Sequence, residues 1–280
     1  MHAFAPESPA QPAVTPQGAA SAEARPQVRI ANLLKRYGDG PVILDNIHLS
    51  VQAGEFVSLI GPSGCGKSTL LKLISSLTPI TEGTLEIEGR TPEEVRGEMA
   101  FIFQEATLLP WLSVRKNVEL PLRLKGVPRS ERKHKAEAML ERVGLSHVHD
   151  SYPRQLSGGM KMRVSIARAL SLRPKVLLLD EPFGALDEMT RDRLNEDLLE
   201  IRRLEAWTAF FVTHSVAEAV FLSSRIVVLS ANPGRVASVV EIPLPYPRNA
   251  ETRETETYQK LVAHVSHELR THAAGSPDPL

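Results

Sequence analysis

Residues 61–68 read GPSGCGKS, and this stretch satisfies the pattern G-x-x-x-x-G-K-S/T of a phosphate-binding loop at every position. A run with strand character, EFVSLI at 55–60, precedes it, and LLKLI at 70–74 continues it with helical spacing. The pattern is specific only between a strand and a helix, and this chain supplies both. The stretch therefore predicts a strand–loop–helix unit that holds the phosphates of a nucleotide.

The residue types of this loop explain why phosphates bind there. Glycines remove Cβ atoms, so backbone N–H groups can converge on one anion, and the following helix directs its positive end at the same place. Lys67, also a catalytic candidate, adds a charge for the β- and γ-phosphates, and Ser68 offers a hydroxyl ligand to Mg²⁺. The predicted ATP contacts in this loop are Gly61, Pro62, Ser63, Gly64, Cys65, Gly66, Lys67, Ser68 and Thr69.

Two adjacent carboxylates follow a second apolar run. LLLDE at 177–181 places Asp180 and Glu181 where a buried strand would end, and ligands of open α/β sheets bind at the carboxyl ends of strands. Asp180 is the candidate for holding Mg²⁺ through water, and Glu181 the candidate for orienting or deprotonating the attacking water. Neighbouring carboxylates raise each other's pKa, which suits a base. The alternative is a pair of helix-capping acids before Pro182.

Strand and helix patterns alternate along the chain. The continuous apolar runs among them are typical of central parallel strands, and the alternating runs of half-buried strands. The predicted strands are 28–30, 43–51, 55–60, 83–89, 99–103, 176–179, 209–212 and 226–229. Residues 113–170 carry helical patterns, including a helix over 131–143 that Gly144 ends. The sequence therefore predicts an α/β fold with a mainly parallel sheet and a helical insert.

Composition divides the chain into three parts. Residues 1–27 are rich in Ala, Pro, Ser and Gln, and their few large apolar side chains cannot offset the entropy of ordering, so a disordered tail is predicted. Residues 28–249 form the predicted catalytic domain. Residues 250–280 form a predicted C-terminal helix and tail, with one amphipathic helix over 250–269.

Charge and hydropathy disfavour several classes of function. Lys plus Arg and Asp plus Glu both number 33, so the chain lacks the basic surplus of a nucleic-acid binder, and no nucleic-acid partner is expected. The single cysteine, Cys65, excludes an internal disulfide. No run approaches the roughly 18 apolar residues that span a bilayer, and no secretory signal is expected. Any work at a membrane would need a spanning partner.

The stretch LSGGM at 156–160 resembles the signature sequence of ABC transporter ATPases, and further motifs follow the order of that family. The resemblance implies further ATP contacts at Tyr37 (adenine stacking), Gln104 (metal ligand and sensor of the membrane partner), Ser157, Gly158 and Gly159 (signature), Asp187 (in GALD) and His214 (catalytic, at the γ-phosphate). Simpler interpretations remain open: a strand-end tyrosine, a loop glutamine, a capped turn, a helix-start acid, and a packed or helix-capping histidine.

One signature position departs from the commonest pattern. Met160 stands where that pattern has Gln, and Met cannot reproduce the hydrogen bonds of an amide. The phosphate contacts belong to Ser157 and the two glycine amides, so ATPase activity is expected to survive.

The resemblance also implies a fold and an assembly. The fold is that of P-loop NTPases, with a RecA-like parallel-sheet core, an antiparallel β subdomain and an α-helical insert at about 106–170. The assembly is a homodimer in which the signature of one copy closes on the phosphate loop of the other, around ATP and Mg²⁺. Two transmembrane permease subunits and, indirectly, a periplasmic solute-binding protein would complete a transporter, with this chain at the cytoplasmic face of a bacterial inner membrane.

Several phrases narrow the resemblance to importers of nitrate, sulfonates and taurine; all three cargoes remain open, with sulfonates favoured. The phrases are LPW at 109–111, NVELPL at 117–122, YPRQL at 152–156, DEPFGALD at 180–187 and SANPGRV at 230–236. Trp111 is expected either on an apolar surface that docks the permease or in the internal packing of the insert. The alternatives to an importer are the ATPase of an exporter and a soluble ABC ATPase acting on DNA or the ribosome.

Overall fold

The computed structural model describes residues 25–205 and 207–273. Most of the predicted N-terminal tail, residues 1–24, lies outside the described part, as do residues 274–280. Within the described residues, no helix has both the length and the apolar character that crossing a bilayer requires. The domain boundaries at 27 and 249 stay predictions.

Strands and helices alternate over residues 176–229, and a helix follows the strand at 56–60, as the α/β pattern of the sequence predicts. The strands are β1 Val28–Arg36, β2 Val42–Val51, β3 Phe56–Ile60, β4 Glu82–Ile87, β5 Met99–Ile102, β6 Val176–Asp180, β7 Thr208–Val212, β8 Arg225–Leu229 and β9 Val236–Glu241. The helices are α1 Lys67–Ile74, α2 Val114–Leu124, α3 Arg129–Arg142, α4 Gly158–Leu170, α5 Glu188–Leu204, α6 Val216–Leu222, α7 Ala250–Glu254 and α8 Glu256–Ala273.

The larger sheet has the strand order β5-β6-β7-β3-β8-β9. Its first five strands run parallel, and β9 pairs antiparallel with β8 at the edge. β3 and β7 are buried along their whole length, and β6 is buried up to its last residue. The predicted parallel α/β core is confirmed. The sequence did not predict β9, whose residues are mostly half-exposed at the sheet edge.

The smaller sheet is antiparallel, in the order β2-β1-β4, and confirms the expected β subdomain. Alternation along β3 divides the core, because successive side chains of a strand point to opposite faces. Val57 and Leu59 pack with α1 and the smaller sheet, whereas Phe56 and Ile60 pack with α4, α5 and α6. The strand that leads into the phosphate loop is therefore held from both sides.

The helical insert is formed by α2, α3 and α4. α3 ends one residue before Val143, and Gly144 adopts a left-handed φ of 69°, which confirms the predicted helix and its glycine stop. α4 packs against α2 and α5, so the start of α4, which carries the signature, lies beside the start of α5.

The prediction of one helix over 250–269 is wrong. Thr255 is extended, with ψ 142°, and it separates α7 from α8. Its hydroxyl accepts a hydrogen bond from the backbone N–H of Tyr258, so this residue caps a new helix. The Tyr258 hydroxyl donates to the Ala217 carbonyl at 2.9 Å, which anchors α8 on α6. Hydrophobic periodicity continues through the break, and for that reason the sequence pattern does not reveal it.

Candidate functional site

The loop 61–68 connects β3 to α1, and its glycines are required by space and by backbone conformation. A Cβ on Gly61 would lie 2.6 Å from the Leu229 carbonyl oxygen, and one on Gly66 would lie 2.5 Å from Leu44 Cδ2. Gly64 and Gly66 also have left-handed φ angles of 77° and 97°. Only glycine takes such conformations readily, so the loop can bring its N–H groups to the start of α1.

Lys67 belongs to this loop, and its side chain is buried. Its Nζ donates hydrogen bonds to the carbonyl oxygens of Gly61 and Pro62, at 2.9 and 3.0 Å. Cys65 is fully buried, and burial raises the pKa of its thiol, so the side chain acts as packing and only its N–H can serve a phosphate. The hydrogen bonds of Lys67 thus hold its ammonium group within the predicted phosphate site.

Ser68 and Asp180 meet at the carboxyl edge of the parallel sheet. Ser68 Oγ donates to Asp180 Oδ1 at 2.7 Å, although 112 residues separate them. Burial raises the pKa of Asp180; the Ser68 hydrogen bond opposes the shift and the nearby Glu181 carboxylate adds to it. A hydroxyl and a carboxylate in contact are the hard oxygen donors that Mg²⁺ prefers.

Glu181 and His214 follow the neighbouring strands β6 and β7. Asp180 pairs with Val212, and the Glu181 N–H donates to the Val212 carbonyl at 3.0 Å. Glu181 has a left-handed φ of 48°, a strained conformation of the kind that clusters at functional sites. Its Oε1 lies 2.6 Å from His214 Nε2. The parallel register therefore brings the candidate base, Glu181, into contact with the catalytic candidate His214.

These positions contradict two simpler interpretations. Asp180 and Glu181 do not cap a helix, because the next helix begins at Glu188. His214 is neither packed nor capping, since its side chain is 48% exposed and Ser215 is the N-cap of α6.

Gln104, Glu181 and His214 line one cavity of about 290 Å³. Gly184 lies between them: a Cβ there would be 3.7 Å from both Gln104 Nε2 and Glu181 Oε2. Sequence reasoning missed four further lining residues, Arg191, Thr213, Ser215 and Glu218. A signal for Glu218 was present, because it is the one charged residue in the otherwise apolar helix sequence VAEAVFL.

The signature residues form a separate surface at the start of α4. Ser157 caps the helix, its Oγ accepting from the Met160 N–H at 3.3 Å, and it is exposed together with Gly158. A Cβ on Gly159 would lie 2.8 Å from Thr190 Cγ2, so glycine lets α4 approach α5 closely. Met160 packs its side chain against the core. Among the hydrogen bonds of the described residues, none joins the signature to the loop 61–68.

Three other predicted residues lie at the surface. Asp187 caps α5, accepting from the Thr190 N–H at 2.9 Å, and this hydrogen bond lowers the pKa of the carboxyl. The interpretation of Asp187 as a helix-start acid is therefore confirmed, and its contact with ATP stays a prediction. Tyr37 is 49% exposed beyond β1, with Lys35 Nζ 4.3 Å from its ring centre. Trp111 is 69% exposed, so its interpretation as internal packing is wrong.

Comparison with known proteins agrees with this geometry. The family model described as ABC transporter matches residues 44–184. The chain is 46% identical over 220 residues to the aliphatic sulfonates import ATP-binding protein SsuB of Bacillus subtilis, covering 79% of this chain and 85% of that protein. It is 47% identical over 228 residues to the bicarbonate transport ATP-binding protein CmpC of a Synechocystis species, covering 80% of this chain and 34% of that protein.

A solved structure shares the same fold. It is the dimeric structure of a post-hydrolysis state of the ATP-binding cassette MJ0796 bound to ADP and Pi, with a TM-score of 0.68 and 34% identity. The match covers 78% of this chain and all of that one. The chain therefore belongs to the ABC transporter family, as an ATP-binding subunit that hydrolyses ATP.

Proposed function

We propose that this chain powers a bacterial importer and works as a homodimer, with two ATP molecules held between the two copies. The main support for the dimer is the exposed signature surface: Ser157 and Gly158 lie at the start of α4 and are exposed to solvent. A helix N-terminus attracts anions, so this surface suits the γ-phosphate held by a second copy. The dimeric state of the related cassette bound to ADP and Pi supports the same arrangement.

In this proposal the nucleotide is bound by surfaces from both copies. The amides of the loop 61–68 and the preset ammonium of Lys67 hold the phosphates, and the exposed ring of Tyr37 stacks on adenine. Asp187, at the start of α5, lies next to the signature of its own copy, because Gly158 and Gly159 contact the segment 186–190. Closure of one copy on the other would therefore bring both segments to the nucleotide.

The donor set at the edge of the sheet fits Mg²⁺. Ser68 Oγ and Asp180 Oδ1 would hold the ion, with Gln104 as a further ligand, and the remaining positions would be water. The ion, when bound, neutralises charge on the β- and γ-phosphate oxygens.

Hydrolysis is assigned to the contact between Glu181 and His214. Glu181 would accept a proton from water while the water oxygen bonds to the γ-phosphorus and the bond to the β–γ bridging oxygen breaks. His214 Nε2 lies 2.6 Å from Glu181 Oε1, and in this proposal its half-exposed ring would also contact the γ-phosphate. The backbone hydrogen bond from Glu181 to Val212 holds the base at a fixed position relative to the loop 61–68.

Import is supported by the names of relatives and by one exposed surface. One relative is named for import of aliphatic sulfonates and another for transport of bicarbonate, so a small oxyanion is the proposed cargo class, with sulfonates first. Trp111 follows Gln104 in the chain and is exposed, which suits an apolar docking surface for one of two permease subunits. The chain would then lie at the cytoplasmic face of the membrane.

The test uses the chain assembled with its permease in vesicles. ATP hydrolysis is measured with and without the solute-binding protein and an alkanesulfonate. We expect the loaded binding protein to raise the rate several-fold, because an importer senses cargo from outside. Trp111→Ala should reduce this stimulation while the basal rate of the free chain stays unchanged, since the indole contacts the permease and not the nucleotide.

Two outcomes would contradict the proposal. A complex whose rate ignores the binding protein would be an exporter. A Trp111→Ala complex stimulated as strongly as the wild type would remove Trp111 from the docking surface. Replacing the alkanesulfonate by bicarbonate or nitrate in the same assay distinguishes the cargoes.

A further inference from the structure

We propose that Glu218 is a positioning residue for ATP hydrolysis: it acts through Thr213 and Ser215 to hold the segment that carries His214. The inference rests on the proposed role of His214. Glu218 lies in the first turn of α6, four residues beyond His214, and lines the same cavity as Glu181. Its hydrogen bonds run to Thr213 and Ser215, so its effect on the reaction would be indirect.

The contacts form a closed ring on both sides of His214. Thr213 Oγ1 is hydrogen-bonded to Glu218 Oε2. The same Thr213 oxygen accepts from the Ser215 N–H at 3.0 Å, and Ser215 Oγ accepts from the Glu218 N–H at 3.3 Å. Thr213 is thus bound to the Glu218 side chain, and Ser215 is bound to Thr213 and to the Glu218 backbone. A shift of the backbone at His214 would disturb these hydrogen bonds.

Burial makes this an unusual place for a carboxylate. Glu218 is 6% exposed, and burial raises its pKa, against the Thr213 hydrogen bond and the positive charge of Arg191. Its helix neighbours 219–222 are all buried and apolar. A buried carboxylate is costly to desolvate, so helix packing alone would favour an apolar side chain at 218. Helix packing therefore does not explain the residue, whereas the restraint on Thr213 does.

The restraint extends to the turn before Asp187. Arg191 Nη2 donates to the Leu186 carbonyl at 2.8 Å, and its charge faces Glu218 across the cavity. Within the described residues, Arg191 Nε, Asn195 Oδ1 and Glu218 Oε1 are buried without a hydrogen-bond partner. Arg191 and Asn195 lie in α5 and Glu218 lies in α6, and the two helices contact each other. Arg191 thus bonds the turn that precedes α5, and its charge acts on the Glu218 carboxylate beside the segment of His214.

The experiment measures kcat and KM for ATP with the purified full-length chain. Glu218→Ala should lower kcat roughly 10- to 100-fold, because loss of the Thr213 contact misplaces His214. KM for ATP should stay within about twofold, since the loop 61–68 is untouched. Glu218→Gln should keep kcat within about threefold of the wild type, because an amide oxygen still accepts from the Thr213 hydroxyl. A purely electrostatic role predicts no such rescue, and a folding role predicts a loss of thermal stability in Glu218→Ala.

A double variant separates action through His214 from independent action. Glu218→Ala combined with His214→Ala should be no slower than His214→Ala alone, because the restraint has nothing left to position. The matched control is Glu55→Ala, which breaks a partly buried pair with Arg225 at the opposite edge of the sheet. It should lower thermal stability and leave kcat unchanged. Thr213→Val removes the same contact from the other side, should Glu218→Ala not fold.

Each remaining outcome overturns a defined part of the argument. If His214→Ala loses activity while Glu218→Ala and Thr213→Val keep the wild-type kcat, the inference is wrong and the proposed function stands. If the losses in the double variant multiply, Glu218 acts independently of His214 and the inference is wrong. If His214→Ala itself hydrolyses ATP at the wild-type rate, the role of His214 fails and the inference fails with it.

Discussion

Gly234, just before the edge strand β9, lies close to the backbone of the phosphate loop. Its N–H donates to the Ile43 carbonyl at 2.9 Å, and its own carbonyl accepts from Asp45 at 2.9 Å. A Cβ there would lie 2.0 Å from the backbone oxygen of Cys65. Because that atom belongs to the loop backbone, a side chain at 234 would have to displace the loop that binds phosphate.

Gly234→Ala is therefore expected to lower the free energy of unfolding by about 1–3 kcal/mol, as overpacking does. The affinity for ATP should fall roughly tenfold, which corresponds to about 1.4 kcal/mol. Urea unfolding and nucleotide titration measure the two effects. Gly97→Ala is the matched control, because its Cβ would meet only Lys125 Nζ, at 3.8 Å. Equal behaviour of the two variants would refute the close approach as the cause.

At the scale of elements, an ionic network ties the smaller sheet to the amino edge of the larger one. Arg90 bonds Glu88 and Glu98, and Lys175 bonds the same two carboxylates at 2.8 Å. Glu88 follows β4, whereas Glu98 and Lys175 precede β5 and β6. Two cations shared by two anions form a network, which is more effective than an isolated surface pair.

The network predicts a specific acid sensitivity. Hydrogen bonds from Arg90 and Lys175 lower the pKa of Glu98 from 4.5 to about 2. A carboxyl with a lowered folded-state pKa stabilises the fold above its unfolded pKa, and this contribution disappears as the pH falls from 4.5 to 2. At pH 6 the free energy of unfolding of the wild type should exceed that of Glu98→Gln by about 1 kcal/mol or less, since the groups are partly exposed.

Urea unfolding between pH 6 and pH 2 measures the convergence of the two proteins. The difference should also shrink at high salt, because screening weakens exposed pairs. A difference between wild type and Glu98→Gln that stayed constant down to pH 2 would show that the carboxylate charge is not what stabilises this junction.

At the scale of the whole molecule, one copy contains only half of the proposed nucleotide site. Glu181→Gln should bind ATP, form a stable dimer and stall, because the amide cannot accept the proton of water. Turnover should fall roughly 10²- to 10⁴-fold. Light scattering after size exclusion, in saturating ATP and Mg²⁺, measures the mass.

The control for this experiment is the same variant without nucleotide, which should run as a monomer. Wild-type protein in ATP should return to monomer as ATP is consumed. A Glu181→Gln protein that stays monomeric in saturating ATP would contradict the shared site, even if its turnover is lost.

The sequence by itself determined the phosphate loop, the carboxylates that end β6, the parallel core and the helical insert. Each of these features can be predicted from a local pattern of glycines or apolar residues. The tertiary structure alone decided which of these residues meet. Ser68 reaches Asp180, Glu181 reaches His214, and Gly234 reaches Cys65. These contacts depend on strand order and on the approach of distant backbone segments, and no local pattern encodes either. Glu218 left a signal in the sequence, as the one charged residue of an otherwise apolar helix, but its hydrogen bond to Thr213 and its place beside Glu181 became visible only in the fold.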